Sequence, residues 1–143
     1  MKNDEILLNE IYENSITAIN VLSGILKKTE QKSMFNCLFD EMTEYRKVAD
    51  TAYSMLDEMN ALPKRNDAFS RTAIIASLGK PSPHRLARIL ICGSREGFYS
   101  LIDSVNACTN TKDEVRHLAY RLMEIEDKNI NNMKKFLNDS KER

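Results

Sequence analysis

Three acids stand where helical periodicity asks for apolar residues. Glu41 falls in the series Met34, Leu38, Glu41, Tyr45, Val48, and Glu126 in Val115, Ala119, Leu122, Glu126, Asn129, Met133. Glu96 lies near the middle of a third periodic segment. Carboxylates that converge inside a helical bundle can hold a metal ion. Di-metal centres of this type take a Glu from each of two helices and a Glu-x-x-His from each of two others. Here the second segment carries Glu41-x-x-Glu44 and the fourth carries Glu126-x-x-Asn129. The literal Glu-x-x-His, Glu114 to His117, opens the fourth segment on a polar face with Arg121 and Glu124. Glu114 is better explained as the capping partner of Thr111. Iron and zinc therefore lack imidazole donors. An all-oxygen set of Glu41, Glu44, Glu96 and Glu126 leaves room for magnesium, manganese or calcium. Glu10 is nearer the far end and fits that layer poorly. The competing reading is carboxylates at the seam edge, paired with Lys or Arg or reaching water. The expectation is no cofactor, with a divalent metal as the alternative.

A second constellation concerns anions. Lys+Arg and Asp+Glu both total 21, which gives no global reason to expect nucleic acid as a partner. The balance hides an asymmetry. Residues 1–60 hold 6 Lys+Arg against 11 Asp+Glu, whereas residues 61–95 hold 7 against 1. Within this basic 64–95 segment, Ser82, His84, Arg85 and Arg88 fall at the start of a helix. With the free amides there they could hold a phosphate, an acidic partner segment or a neighbouring subunit's carboxylates. The simpler reading lays this segment across the acidic first half of its own bundle.

Four long amphipathic segments must position these residues. The first runs from about Asn3 to Lys28 and buries Leu7, Ile11, Ala18, Leu22 and Ile25. The second runs from about Glu30 to Asn60. Asp67 can cap a short helix over Ala68–Leu78 that Gly79 closes. Ser82-Pro83 is a start signal for a third helix to Ala107. Thr109-Asn110 makes a tight turn, and Thr111 to Glu114 matches a capping box for a fourth helix to Leu137. The tail, about 138–143, is polar. Four Gly and three Pro are too few for a many-stranded β fold. Covering four stripes around one core makes residues 1–143 a single all-α domain. A connector of about 22 residues can carry the chain back along the bundle and make helices two and three parallel.

Smaller features complete the reading. Gly93 and Gly97 lie four apart in mid-helix, each costing about 1 kcal/mol relative to Ala, which points to a close helix approach within the bundle or in a dimer, with a ligand or metal beside the bare backbone as the alternative. Cys37, Cys92 and Cys108 form no CxxC pair and are expected as buried, reduced thiols. The five tyrosines are expected at the core edge with hydroxyls reaching water. No stretch reaches about 18 apolar residues, so no membrane span is expected. Asp4 and Glu5 stand where a signal peptide would be basic, which points to the cytoplasm.

LLNEIYENSITAINVL, DEMTEYRKVADTAYSMLDE, KPSPHRLARILICGSREGFYSLID and EIEDKNINNMKKFL cover nearly the whole chain. Together they resemble a family of small, uncharacterised bacterial helical-bundle proteins of the ferritin-like superfamily. The resemblance implies a ferritin-like four-helix bundle with a short extra helix in the crossover between helices two and three. No GxSxG, Gly-rich phosphate loop, HExxH or EF-hand loop occurs. The expected role is a non-enzymatic intracellular structural or interaction protein, with a homo-oligomer or an unidentified protein as partner. The alternatives are a metal-binding protein with a degenerate di-metal carboxylate site, and an anion or acidic-partner binder acting through the basic segment.

Overall fold

A computed structural model describes residues 2–63 and 75–139. They form four helices: α1 (Lys2–Leu26), α2 (Lys32–Glu58), α3 (Pro83–Ala107) and α4 (Asp113–Asp139). No strand occurs among the described residues, and none of their helices is long and apolar enough to cross a membrane.

Local chemistry sets the ends. Ser82 is extended, its Oγ accepts the Arg85 N–H at 3.2 Å, and Pro83 follows at the first helical position. After α2 the chain reverses through Asn60 at φ 55°, whose N–H donates to the Asp57 carbonyl. Gly79 (φ 70°) and Asn110 (φ 61°) make the other left-handed turns. The start of α4 differs from the capping-box reading. The Lys112 carbonyl, one residue later than Thr111, accepts the first helical amides of Val115 and Arg116. Thr111 is buried, and its carbonyl accepts from Arg116 Nη1 at 2.7 Å. The Lys112 N–H donates to Asp4 Oδ1 of α1 at 2.8 Å, so a tertiary contact does the work expected of a local one.

Hydrogen bonds fix the helix directions. Asn3 Nδ2 donates to the Thr109 carbonyl at 2.6 Å, tying the start of α1 to the end of α3. Asp4 ties the start of α1 to the start of α4. His84 at the start of α3 lies 3.1 Å from the Leu137 carbonyl near the end of α4. Glu41 reaches Asn132, and Glu44 reaches Lys128, so α2 and α4 run in opposite directions. Hence α1 and α4 point one way, and α2 and α3 the other. The hairpins α1–α2 and α3–α4 pack most extensively, and they meet along the α1–α3 and α2–α4 seams.

Parallel α2 and α3 require the intervening chain to return to the end where α2 began. It has done so by Ile75, which packs on Gly24 near the end of α1, and Lys28 Nζ donates to the Ala76 carbonyl at 3.3 Å. Ile75 and Ala76 are helical, while the rest of the helix expected over 68–78 lies mostly outside the described residues. The core centres on Leu7, Ile11, Leu38, Leu101, Leu122 and Phe136, each at most 1% exposed. Burying one such side chain contributes about 1.5–3 kcal/mol.

Candidate functional site

Two of the seam acids are interior. Glu41 on α2 and Glu126 on α4 are each 3% exposed. Cys37, one turn before Glu41, donates its thiol to Glu41 Oε2 at 3.5 Å, and Asn132 of α4 also bonds this carboxyl. One turn after Glu41, the buried Tyr45 hydroxyl donates to Glu126 Oε1. Ser94 of α3 supplies Glu126 with a second hydrogen bond. Asn129, 2% exposed, donates Nδ2 to the Tyr45 hydroxyl oxygen at 3.1 Å, and its Oδ1 has no hydrogen-bond partner.

Burial dominates the electrostatics here. It pushes both Glu41 and Glu126 up to about 7, against the opposing pull of their hydrogen bonds. The Tyr45 phenol is raised by burial and by the neighbouring Glu126. Burial, with the Glu41 charge, raises the Cys37 thiol to about 11, so it stays protonated and is no nucleophile.

Gly97 explains how Glu126 fits. A Cβ there would collide with Glu126 Oε2 and stand 2.9 Å from Asn14 Oδ1. The close approach expected of this glycine is therefore to a carboxylate and an amide rather than to a helix backbone. Asn14 Nδ2 in turn donates to the Gly97 carbonyl at 3.4 Å. Gly93, one turn earlier, has nothing within 4 Å of a Cβ position. It borders a cavity of about 300 Å³ between α1 and α3, with Glu41, Tyr45 and Glu126 on its inner wall. The α1 wall runs from Glu10 to Leu22 and the α3 wall from Ile89 to Ser100. Among the described residues, five of the lining side chains are Glu (10, 13, 41, 96 and 126), and none is Lys, Arg or His.

Three of the four candidate metal ligands, Glu41, Glu96 and Glu126, border the cavity without converging on one point. Glu44 turns outward to Lys128 Nζ at 3.1 Å, and Glu96 is exposed at the cavity mouth. Among the described residues no group of three or more His, Cys, Asp and Glu side chains is placed to hold a metal ion. Glu44 lies three residues past Glu41, at the edge of the buried stripe, where it pairs with Lys128 of α4. His117 is exposed, as its polar neighbours indicate.

The candidate anion site is also dispersed. Ser82 caps its own helix, Arg85 and Arg88 are exposed, and His84 donates Nδ1–H to the Leu137 carbonyl. That histidine thus serves the electronegative end of α4 rather than an anion. Of the three thiols only Cys108 is buried; Cys37 is half-buried and Cys92 exposed. Tyr45 departs from the expectation for tyrosines, its hydroxyl being buried on Glu126 rather than in water. Asn14 and Ser94 join the site unannounced by any motif, whereas Asn129 stood in the Glu126-x-x-Asn129 pattern. The signal present was the break in the α4 seam, where Asn129 follows Glu126 in the same apolar series.

The architecture has a solved counterpart. A crystal structure of a DUF305 fragment from Deinococcus radiodurans superposes with a TM-score of 0.78 over 97% of each chain, at 13% sequence identity. At that identity the likeness is one of fold: a small all-helical bundle of four helices. No family model matches the sequence, and no curated protein matches it.

Proposed function

We propose that this protein is a non-enzymatic cytoplasmic binding protein of ferritin-like architecture that takes up a positively charged ligand in the cavity between α1 and α3. One observation carries the reading: Glu41 and Glu126 are buried against a cavity, and neither makes an ion pair among the described residues. Isolating a carboxylate from water costs several kcal/mol unless it takes up a proton or an opposite charge is supplied. A cation entering the cavity supplies it.

The ferritin-like reading is supported by parallel α2 and α3 and by inward carboxylates on α2 and α4. The non-enzymatic reading is supported by the cavity's ionisable groups, which are carboxylates and one phenol. With no cationic side chain there among the described residues, the site has little to hold negative charge developing in a transition state. Free thiols at Cys37, Cys92 and Cys108 support a reducing compartment. A divalent-metal reading draws on the hard oxygens of Glu41 and Glu126, but the Tyr45 hydroxyl is committed to Glu126.

Thermal unfolding tests the proposal. Mg²⁺, Mn²⁺, Ca²⁺ and alkylammonium ions are added at constant ionic strength to the wild type and to a Glu41→Gln, Glu126→Gln variant. At least one cation is expected to raise the wild-type Tm and to leave the variant unchanged. No shift in the wild type, or an equal shift in both proteins, refutes the reading.

A further inference from the structure

We propose that the ligand of this cavity is a linear aliphatic polyamine lying lengthwise between α1 and α3. The inference rests on the cavity being a cation site and adds the shape and valence of the cation. Shape comes from the walls. Residues 10–22 of α1 and 89–100 of α3 each span three turns or more, about 17 Å at the α-helical rise. The cavity is thus extended along the helix direction, which accommodates a chain lying lengthwise.

Valence comes from the spacing of the acids. Glu10 sits one turn before Asn14, which abuts Gly97 where Glu126 enters, so about 6 Å or more of groove separates the two acids. Glu41 lies a further turn along, on the far side of Tyr45. Negative groups thus recur at intervals of a short alkyl segment. Ala18, Val21, Ile89 and Leu90 furnish apolar wall for methylenes. A single ion could neutralise one of these positions, but a chain carrying several ammonium groups can meet them in turn.

One further feature of the groove points to an occupant. Gly93 gives up helix stability with no neighbour that requires it, which leaves bare backbone open to the groove. Beside carboxylates the fitting partner is a donor, and an ammonium group carries three N–H donors and no acceptor.

The test is titration calorimetry of the full chain with spermidine, 1,5-diaminopentane, n-pentylamine and Mn²⁺ at fixed ionic strength. Spermidine is expected to bind at least tenfold tighter than n-pentylamine, with the diamine between them. Glu10→Gln is expected to shrink the diamine's advantage while leaving n-pentylamine unchanged. Gly93→Leu, which fills the groove from a position with open space, is expected to abolish binding without loss of fold. Equal affinity for spermidine and n-pentylamine refutes the polyamine, as does unchanged spermidine binding in Gly93→Leu, which would mark a surface effect. Binding of Mn²⁺ alone refutes the polyamine but retains a cation site. Binding of none of the four refutes both.

Discussion

Gly93 and Gly97 are one turn apart on the same helix, yet substitution by Ala is expected to act with opposite sign. In a helix interior Ala is favoured over Gly by about 1 kcal/mol. At position 93 a Cβ has nothing within 4 Å, so that gain stands undiminished. Gly93→Ala should stabilise by about 1 kcal/mol, or about 3 °C in Tm for a chain of this size. At position 97 the same methyl collides with Glu126 Oε2 and compresses Asn14. The Glu126 side chain must swing away, losing the Tyr45 hydroxyl and Ser94. A hydrogen bond to a charged group contributes about 1.5–3 kcal/mol, so with two lost and the propensity gain set against them Gly97→Ala should destabilise by about 2–5 kcal/mol. Urea unfolding followed by far-UV circular dichroism at pH 8 reads both variants. A double-mutant cycle with Glu126→Ala isolates the cause, because the penalty at 97 should vanish once the carboxylate is gone. If Gly97→Ala stabilises as much as Gly93→Ala, Gly97 is not making room for Glu126, and the account of the site is wrong.

Other consequences concern single groups. Glu41 and Glu126 carry protons up to about pH 7 when folded but ionise near 4.5 when exposed, so the folded state holds more protons between those values. Stability should therefore fall as pH rises from about 4.5 through 7 and level off above. Glu126→Gln should accordingly be more stable than wild type at pH 8 by on the order of 1–3 kcal/mol and equal to it at pH 4; an equal gap at both pH values would contradict the burial argument. Tyr45→Phe strips a donor from Glu126 and a partner from Asn129, so an NMR titration of the Glu126 carboxyl should show its midpoint move upward. Asp4→Ala leaves the Lys112 N–H at the start of α4 without its acceptor and should cost about 1–3 kcal/mol in urea unfolding; no measurable loss would mean that water replaces the carboxylate.

The elements were legible because their signals are local. Ser82-Pro83 marks the start of α3, and the apolar spacing from Met34 to Leu56 traces the buried stripe of α2. The interior acids were legible for a related reason: Glu41 and Glu126 break stripes that are otherwise oily. Their neighbours were not, because a side chain's direction across the bundle depends on the partner helix. Glu44 and Glu96 share the residue type and nearly the level, yet rotation about the helix axis sends one to Lys128 and the other to solvent. Asp4 reads locally as a favourable first-turn acid, and only the packing of α1 beside the start of α4 makes it the acceptor for a distant amide. The capping box failed in the same place, since the tertiary contact took over the local role.

The strongest rival to a binding site is a pair of carboxylates tolerated at a seam. The chain itself shows what tolerance looks like. Glu44 is a third exposed, reaches water and pairs with Lys128 across the α2–α4 seam. Glu41, one turn of the same helix away, feels the charge of the same lysine but makes no ion pair with it; it is buried, and its hydrogen bonds come from a thiol and an amide. Glu126 is likewise given a phenol and a hydroxyl, groups that orient a carboxylate without neutralising it. Nearby, a helix interior gives up propensity at two glycines, and one amide oxygen goes without a donor. Each departure lowers stability on its own, and a fold free to minimise them would scatter or remove them. Four of them, Glu41, Glu126, Gly93 and Gly97, line one groove, which is what selection for an occupant produces, since local rules are broken together where function requires it.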